Sequence, residues 1–156
     1  MTYRCQALPP TPQPSSEAAR RHLSRTARRD TAPERELRRH LHRLGLRFLV
    51  DASPQGTDRR RRADVVLRGA RIAVLVHGCF WHGCPDHYHA PKANAEWWAV
   101  KLQSVQARDA DTVQRLRDAG WLPVVVWEHD DMAEVAAELA RLSADRTGAS
   151  SRRRTG

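Results

Sequence analysis

Apolar positions along the chain change their spacing several times, and each change marks a predicted element. Behind Thr31-Ala-Pro-Glu34, which reads as a capping box with proline in the first turn, Leu37, Leu41 and Leu44 recur at helical spacing until Gly45 stops them. Leu46, Phe48 and Val50 then alternate, the period of a half-buried strand over 46–50. A polar insert fills 53–62. After it, 64–67, the turn Arg68-Gly-Ala and the apolar run 71–76 predict a tight hairpin feeding a buried strand. From 95 to 119 the pattern is helical, with Trp98, Leu102, Val105, Val113 and Leu116 on one face and Gly120 as the stop. Residues 121–127 form the next predicted strand, with Pro123 near its start, and 131–142 a capped amphipathic helix carrying Met132, Val135, Leu139 and Leu142 inward. The order is α-β-β-β-α-β-α. Two strands joined through a helix in one sheet run parallel, so the pattern predicts an α/β fold: a mixed sheet with helices on its faces.

At 156 residues the chain is expected to hold one domain over 20–142, flanked by a disordered, proline-bearing leader at 1–19 and a disordered basic Ser/Thr/Gly tail at 143–156. With no run of 18 apolar residues and no signal-like start, the expectation is a soluble cytoplasmic protein, associated with the nucleoid and without a membrane partner. Cys5 is isolated and the other two cysteines share one loop, so a disulfide framework is not expected and metal ligation is.

Charge narrows the partner. Net charge is +9, and 25 of the 27 cations are arginine, whose planar fork suits phosphate. Part of the excess is ordinary solvated surface. Its placement is more telling: ten arginines lie between Arg20 and Arg47, four form the run 59–62 and three close the chain at 152–154. Basic arms on a compact body are the electrostatic footprint of a DNA-binding protein.

The densest chemistry sits in 76–89, Val-His-Gly-Cys-Phe-Trp-His-Gly-Cys-Pro-Asp-His-Tyr-His, which holds four of the eight histidines and two of the three cysteines. Cys79, Cys84 and His87 have the spacing of three zinc ligands from one loop; a closed site needs a fourth, for which His129 and His89 compete. Phe80 and Trp81 lie between these ligands, where an apolar wedge would be held at the loop's tip. Trp98 is either core or part of that wedge. Asp64 opens a strand next to the one that ends at Val76 and His77; it either closes a turn or offers a hard Mg2+ site together with a backbone carbonyl. Glu34 has work in the capping box and could also reach such a metal through water. His82 could be a ligand, a core ring or a general base. Asp109 favours the base, because a carboxylate breaking the apolar stripe of a helix needs a partner, and an imidazole is the natural one.

Taken together, Arg29-Asp-Thr-Ala-Pro-Glu34, Ala63-Asp64, Val76-His-Gly-Cys-Phe-Trp-His82, Glu96-Trp-Trp98, Arg108-Asp109, Ala119-Gly-Trp121 and Val126-Trp-Glu-His129 make the chain resemble the very short patch repair endonucleases over roughly residues 24–130. The resemblance implies a restriction-endonuclease-like fold and Mg2+-dependent nicking 5′ to the thymine of a T:G mismatch left by deamination of 5-methylcytosine. It further implies that Asp64 binds magnesium with the carbonyl of Val76, aided by hydrated contacts near Glu34 and His77. His82 would be the general base oriented by Asp109, Cys79 the first zinc ligand, and Phe80, Trp81 and Trp98 the intercalating wedge. Arg28, Arg29, Arg61 and Arg62 would hold the DNA backbone. Implied partners are a T:G duplex bound by a monomer, mismatch-repair proteins, and a cognate cytosine-5 methyltransferase system. The chain departs from many members in having His129 for a cysteine and Cys79, Cys84, His87 for a Cys-His-Cys set. It also lacks the glutamate-x-lysine pair of common restriction enzymes, as the family does. Two other readings compete: a catalytically silent zinc-stabilised DNA-binding module, and a restriction or homing nuclease acting on matched DNA.

Overall fold

The computed structural model describes residues 8–25 and 29–152, without the side chains of 22–25 and 149–152. Helices α1 (Glu17–Arg25) and α2 (Ala32–Arg43) precede strands β1 (Leu49–Ala52), β2 (Ala63–Leu67) and β3 (Ile72–His77). The short helix α3 (Cys79–His82) and the long helix α4 (Ala95–Asp118) lead to β4 (Leu122–Trp127) and α5 (Met132–Arg152). The strands form one mixed sheet in the order β1-β2-β3-β4. β1, β2 and β3 are antiparallel neighbours, and β4 lies parallel to β3 from Ile72↔Leu122 to His77↔Trp127. The mixed sheet expected from the β-α-β pattern is the one observed.

Period-2 alternation divides the core between the sheet's two faces. On one face Val65, Leu67, Ile72 and Val74 pack with Leu37 and Leu41 of α2 and Met132, Ala136 and Leu139 of α5. On the other, Val66, Ala73 and Leu75 meet Leu116 at the end of α4, and Trp121. Both long-helix stops predicted from glycine form Schellman turns. Gly45 (φ +74) and Gly120 (φ +78) adopt the left-handed conformation, and the next amides, Leu46 and Trp121, donate back to the carbonyls of Leu41 and Leu116 at 3.1 and 2.9 Å.

Four expectations need correction. The first strand begins at Leu49, so Leu46 and Phe48 pack on the core from the approach to it, while Val50 is 44% exposed. The leader is not featureless over its described part: the indole N–H of Trp97 donates to the Pro9 carbonyl at 3.1 Å, and α1 starts at Glu17 behind Ser16, whose hydroxyl accepts from the Ala19 amide at 3.0 Å. The expected tail at 143–156 is helical as far as Arg152, where α5 gains tertiary support from Arg146 donating to the Ala70 carbonyl at 2.5 Å. Finally, the stripe of α4 serves two neighbours. Leu116 is buried against the sheet, whereas Trp98, Leu102 and Val105 line a recess with Phe80, Trp81, Tyr88 and Lys101.

Candidate active site

Two strand ends fix everything that follows. Because β3 and β4 are parallel and finish in register at His77↔Trp127, the chain leaves both at the same end of the sheet. The Glu128 amide adds one more bond across them, to the His77 carbonyl at 2.9 Å. Gly78 and α3 therefore start beside Glu128 and His129. A Glu128 carboxylate oxygen accepts from the Cys79 amide at 2.7 Å and so satisfies a free N–H at the start of α3. The turn ends at Gly83, whose φ of +67 disfavours other residues and where an added Cβ would lie 2.8 Å from a Leu102 methyl and from the Gln106 side-chain amide, so that those side chains would have to move.

That geometry closes the soft site. One donor atom from each of Cys79, Cys84, His87 and His129 lies within 4.8 Å of the other three. Cys79 Sγ is 3.1 Å from His129 Nδ1, and Cys84 Sγ is 3.8 Å from both His129 Nδ1 and His87 Nδ1. Ligands around a tetrahedral zinc are separated by ~3.5 Å given its bond lengths, so donor type and spacing both fit this ion. Burial, then Cys84 and Glu128, push the Cys79 thiol up to about 12, a cost that a bound cation would reverse. His89, the competing fourth ligand, is not in the group.

The carboxylates converge one strand away. Asp64 is half-buried in β2, and one of its oxygens accepts from the Val76 amide at 2.6 Å, so the contact made to Val76 is through its N–H rather than its carbonyl. Burial first, and then the charges of Glu34 and Asp51, raise the Asp64 carboxyl to about 6 against the pull of Val76 and His82. Crowding of this kind favours a cation. Glu34 is 8% exposed, and the predicted box does not form: Glu34 accepts from the Asp30 amide, one residue before the N-cap, at 2.9 Å and from the Thr31 hydroxyl at 2.8 Å, while the Thr31 side chain makes no cap bond to the helix. Asp51 escaped the sequence reading, because nothing in its local pattern shows that it will face the ladder position of Asp64.

His82 Nδ1 and Asp109 Oδ2 are 2.6 Å apart, each side chain 26% exposed, which joins the end of α3 to the middle of α4. His77 stacks on His82 at a ring-centroid distance of 3.9 Å and an angle of 9°. Burial and the His82 charge lower its pKa to about 4 despite Asp109, so His77 is neutral at physiological pH. Beyond this pair, Phe80 packs edge-to-face on Trp81 and Trp98, with centroids at 5.2 and 5.1 Å. The three half-buried rings line a cleft of about 680 Å³ that leader residues Thr11 to Ser15 also line.

The arginines expected on the DNA backbone divide. Arg29 and Arg62 pair with Asp51 at 3.0 and 2.7 Å and remain 70% and 53% exposed. Arg61 is turned onto α4, where it contacts the Asp111 carboxylate and the Thr112 hydroxyl. Its guanidinium thus fastens the insert rather than facing outward. Arg28 lies outside the described residues.

Similarity to known proteins extends well beyond this cluster. The family model for DNA mismatch endonuclease Vsr matches residues 15–88, a span that takes in Glu34, Asp64, His82 and three of the four zinc-type ligands. The type II nicking enzyme V.NaeI of Lentzea aerocolonigenes is 35% identical over 137 residues, covering 87% of this chain and 82% of that protein. The type II nicking enzyme V.XorIIP of Xanthomonas oryzae pv. oryzae is 33% identical over 129 residues, 81% of this chain and 91% of its own. DNA mismatch endonuclease Vsr of Escherichia coli strain K12 is 38% identical over 108 residues, 65% of this chain and 64% of its own. Likeness sustained from α1 through the His82–Asp109 pair to the last strand is that of whole homologous domains, and the chain belongs to the Vsr family of DNA mismatch endonucleases.

Proposed function

We propose that this DNA endonuclease is a Mg2+-dependent nickase that hydrolyses one phosphodiester 5′ to the thymine of a T:G mismatch, on a restriction-endonuclease-like core. The observation that carries the reading is the His82–Asp109 pair at 2.6 Å, close enough to Asp64 for the imidazole to act on its charge. Asp64 and the Val76 carbonyl would hold Mg2+, with water-mediated contacts to Glu34 and His77; when bound, the ion polarises the phosphoryl group and acidifies water. Cys79, Cys84, His87 and His129 would hold a structural Zn2+.

The Nδ1–H of His82 donates to Asp109, which leaves Nε2 to take a proton from water. The water oxygen bonds to phosphorus as the bond to the leaving sugar oxygen breaks, and that oxygen takes its proton from solvent. Because His77 is neutral, stacking fixes the His82 ring without adding a charge that would oppose its protonation. Phe80, Trp81 and Trp98 would enter the base stack beside the mismatch, since a group of apolar rings braced on one another can unstack a step and kink the duplex. Single-strand cleavage also accords with relatives that are named nicking enzymes.

The test uses two duplexes of one sequence, T:G and matched. Nicking of the T:G duplex that requires Mg2+ and is lost in Asp64→Ala supports the proposal. Equal cutting of both duplexes would favour a restriction-type nuclease, and no cutting despite tight binding would favour the silent module.

A further inference from the structure

Asp51 has a setting that the reaction above does not use. Val50↔Val65 and Ala52↔Ala63 place it opposite Asp64 in the β1–β2 ladder, where two like charges are unfavourable. Its φ is +44, a left-handed value that few L residues other than Asn and Asp adopt. Both features are sustained by two cations. Arg29 Nε binds one carboxylate oxygen at 3.0 Å, Arg62 Nε binds the other at 2.7 Å, and Arg62 also donates to the Asp51 carbonyl. The Asp51 side chain is 21% exposed beneath two guanidinium groups that are much more open to solvent. These arginines come from distant parts of the chain: Arg29 precedes the turn into α2, and Arg62 closes the insert next to Ala63-Asp64. A guanidinium carries five donors, so each retains N–H groups after its contact with Asp51.

We propose that Asp51 is a positioning residue that sets Arg29 and Arg62 as a two-arginine clamp for a DNA phosphate beside the cleavage position. The inference rests on the nickase reading for its substrate. Direct metal ligation by Asp51 is disfavoured, because both of its oxygens already bind cationic side chains.

The sign of one measurement separates this role from simple repulsion. Removing a negative charge from a DNA-facing surface tightens binding on electrostatics alone, whereas losing the clamp weakens it. Asp51→Asn and Asp51→Gly both discard the carboxylate charge while tolerating the backbone angle, and the glycine variant relieves any strain. For each, binding of the T:G duplex in metal-free buffer should weaken about tenfold, and the slope of log affinity against log salt should fall by about one to two. At saturating Mg2+, KM should rise by a similar factor while kcat holds. Tighter or unchanged binding in a variant that melts like the wild type overturns the clamp. A shifted Mg2+ requirement with unchanged KM overturns it in favour of a metal ligand. Should the wild type leave the T:G duplex uncut, the nickase reading falls, and the metal-free binding arm still decides the clamp.

Discussion

Asp64 is held where its charge is expensive. Its carboxyl sits near 6 in the folded protein against an ordinary 3.8, so the folded chain binds the proton more tightly than the unfolded one. This group's contribution to stability is therefore most favourable below pH ~4, declines as pH rises through ~4 to ~6, and stays low above that; the full shift corresponds to an upper bound of about 3 kcal/mol. In metal-free buffer at pH 7, Asp64→Asn should accordingly raise the free energy of unfolding by about 1–3 kcal/mol, since Asn can still accept from the Val76 amide. The gain should vanish near pH 4 in urea titrations, while nicking falls by at least about 100-fold. Added Mg2+ should stabilise the wild type and leave the variant unmoved. Equal stability of the two proteins at pH 7 would remove the argument from burial. The His82–Asp109 pair was legible in the sequence because a carboxylate breaking an apolar helical stripe must find a partner. Asp51 was not, because its place depends on strand register across a ten-residue insert and on one left-handed backbone angle.

Helix α3 is one turn long and far too short to persist by itself. It is held by Glu128 at its first amide, by the Gly83 turn against Leu102, and by the Cys/His group that ties both ends of the knuckle to β4. Metal affinity at such a site is partly folding energy. Cys79→Ala should lose bound zinc by elemental analysis, from about one ion per chain to near zero, and melt several degrees lower. Wild-type protein purified without zinc would refute the structural role. At this scale the sequence disclosed the elements best where a capping motif or a glycine bounds them, as for α2 and α4. It misjudged those held by distant contacts. The approach to β1 alternates like a strand before pairing begins, and α5 continues past its apolar stripe through a Ser/Thr/Gly stretch because Arg146 reaches the β2–β3 turn. The four-donor Cys/His group depended on His129 returning to the loop, which parallel pairing of β3 with β4 accomplishes.

On the proposed reading, charge and the aromatic cluster would divide the work of recognition across the whole molecule. The count of 27 cations overstates the phosphate contacts, since Arg61, Arg71 and Arg146 are turned onto carboxylates or carbonyls of the protein itself. The outward-facing remainder supplies affinity for any duplex, and that affinity falls steeply with salt. As a proposed wedge, the ring cluster would respond instead to how easily a base step opens, and a wobble pair opens more easily than a matched one. The two contributions should therefore separate under different perturbations. Raising NaCl from about 50 to about 200 mM should weaken binding to T:G and matched duplexes together, by about 100-fold or more, and leave their ratio nearly constant. Trp81→Ala should do the reverse, lowering the preference for T:G by about tenfold while matched-duplex affinity and its salt slope stay close to wild type. Competition binding of the two duplexes across a salt series reads both effects. If salt erodes the preference itself, arginines rather than the rings read the mismatch; if Trp81→Ala weakens both duplexes alike, the cluster only braces the knuckle.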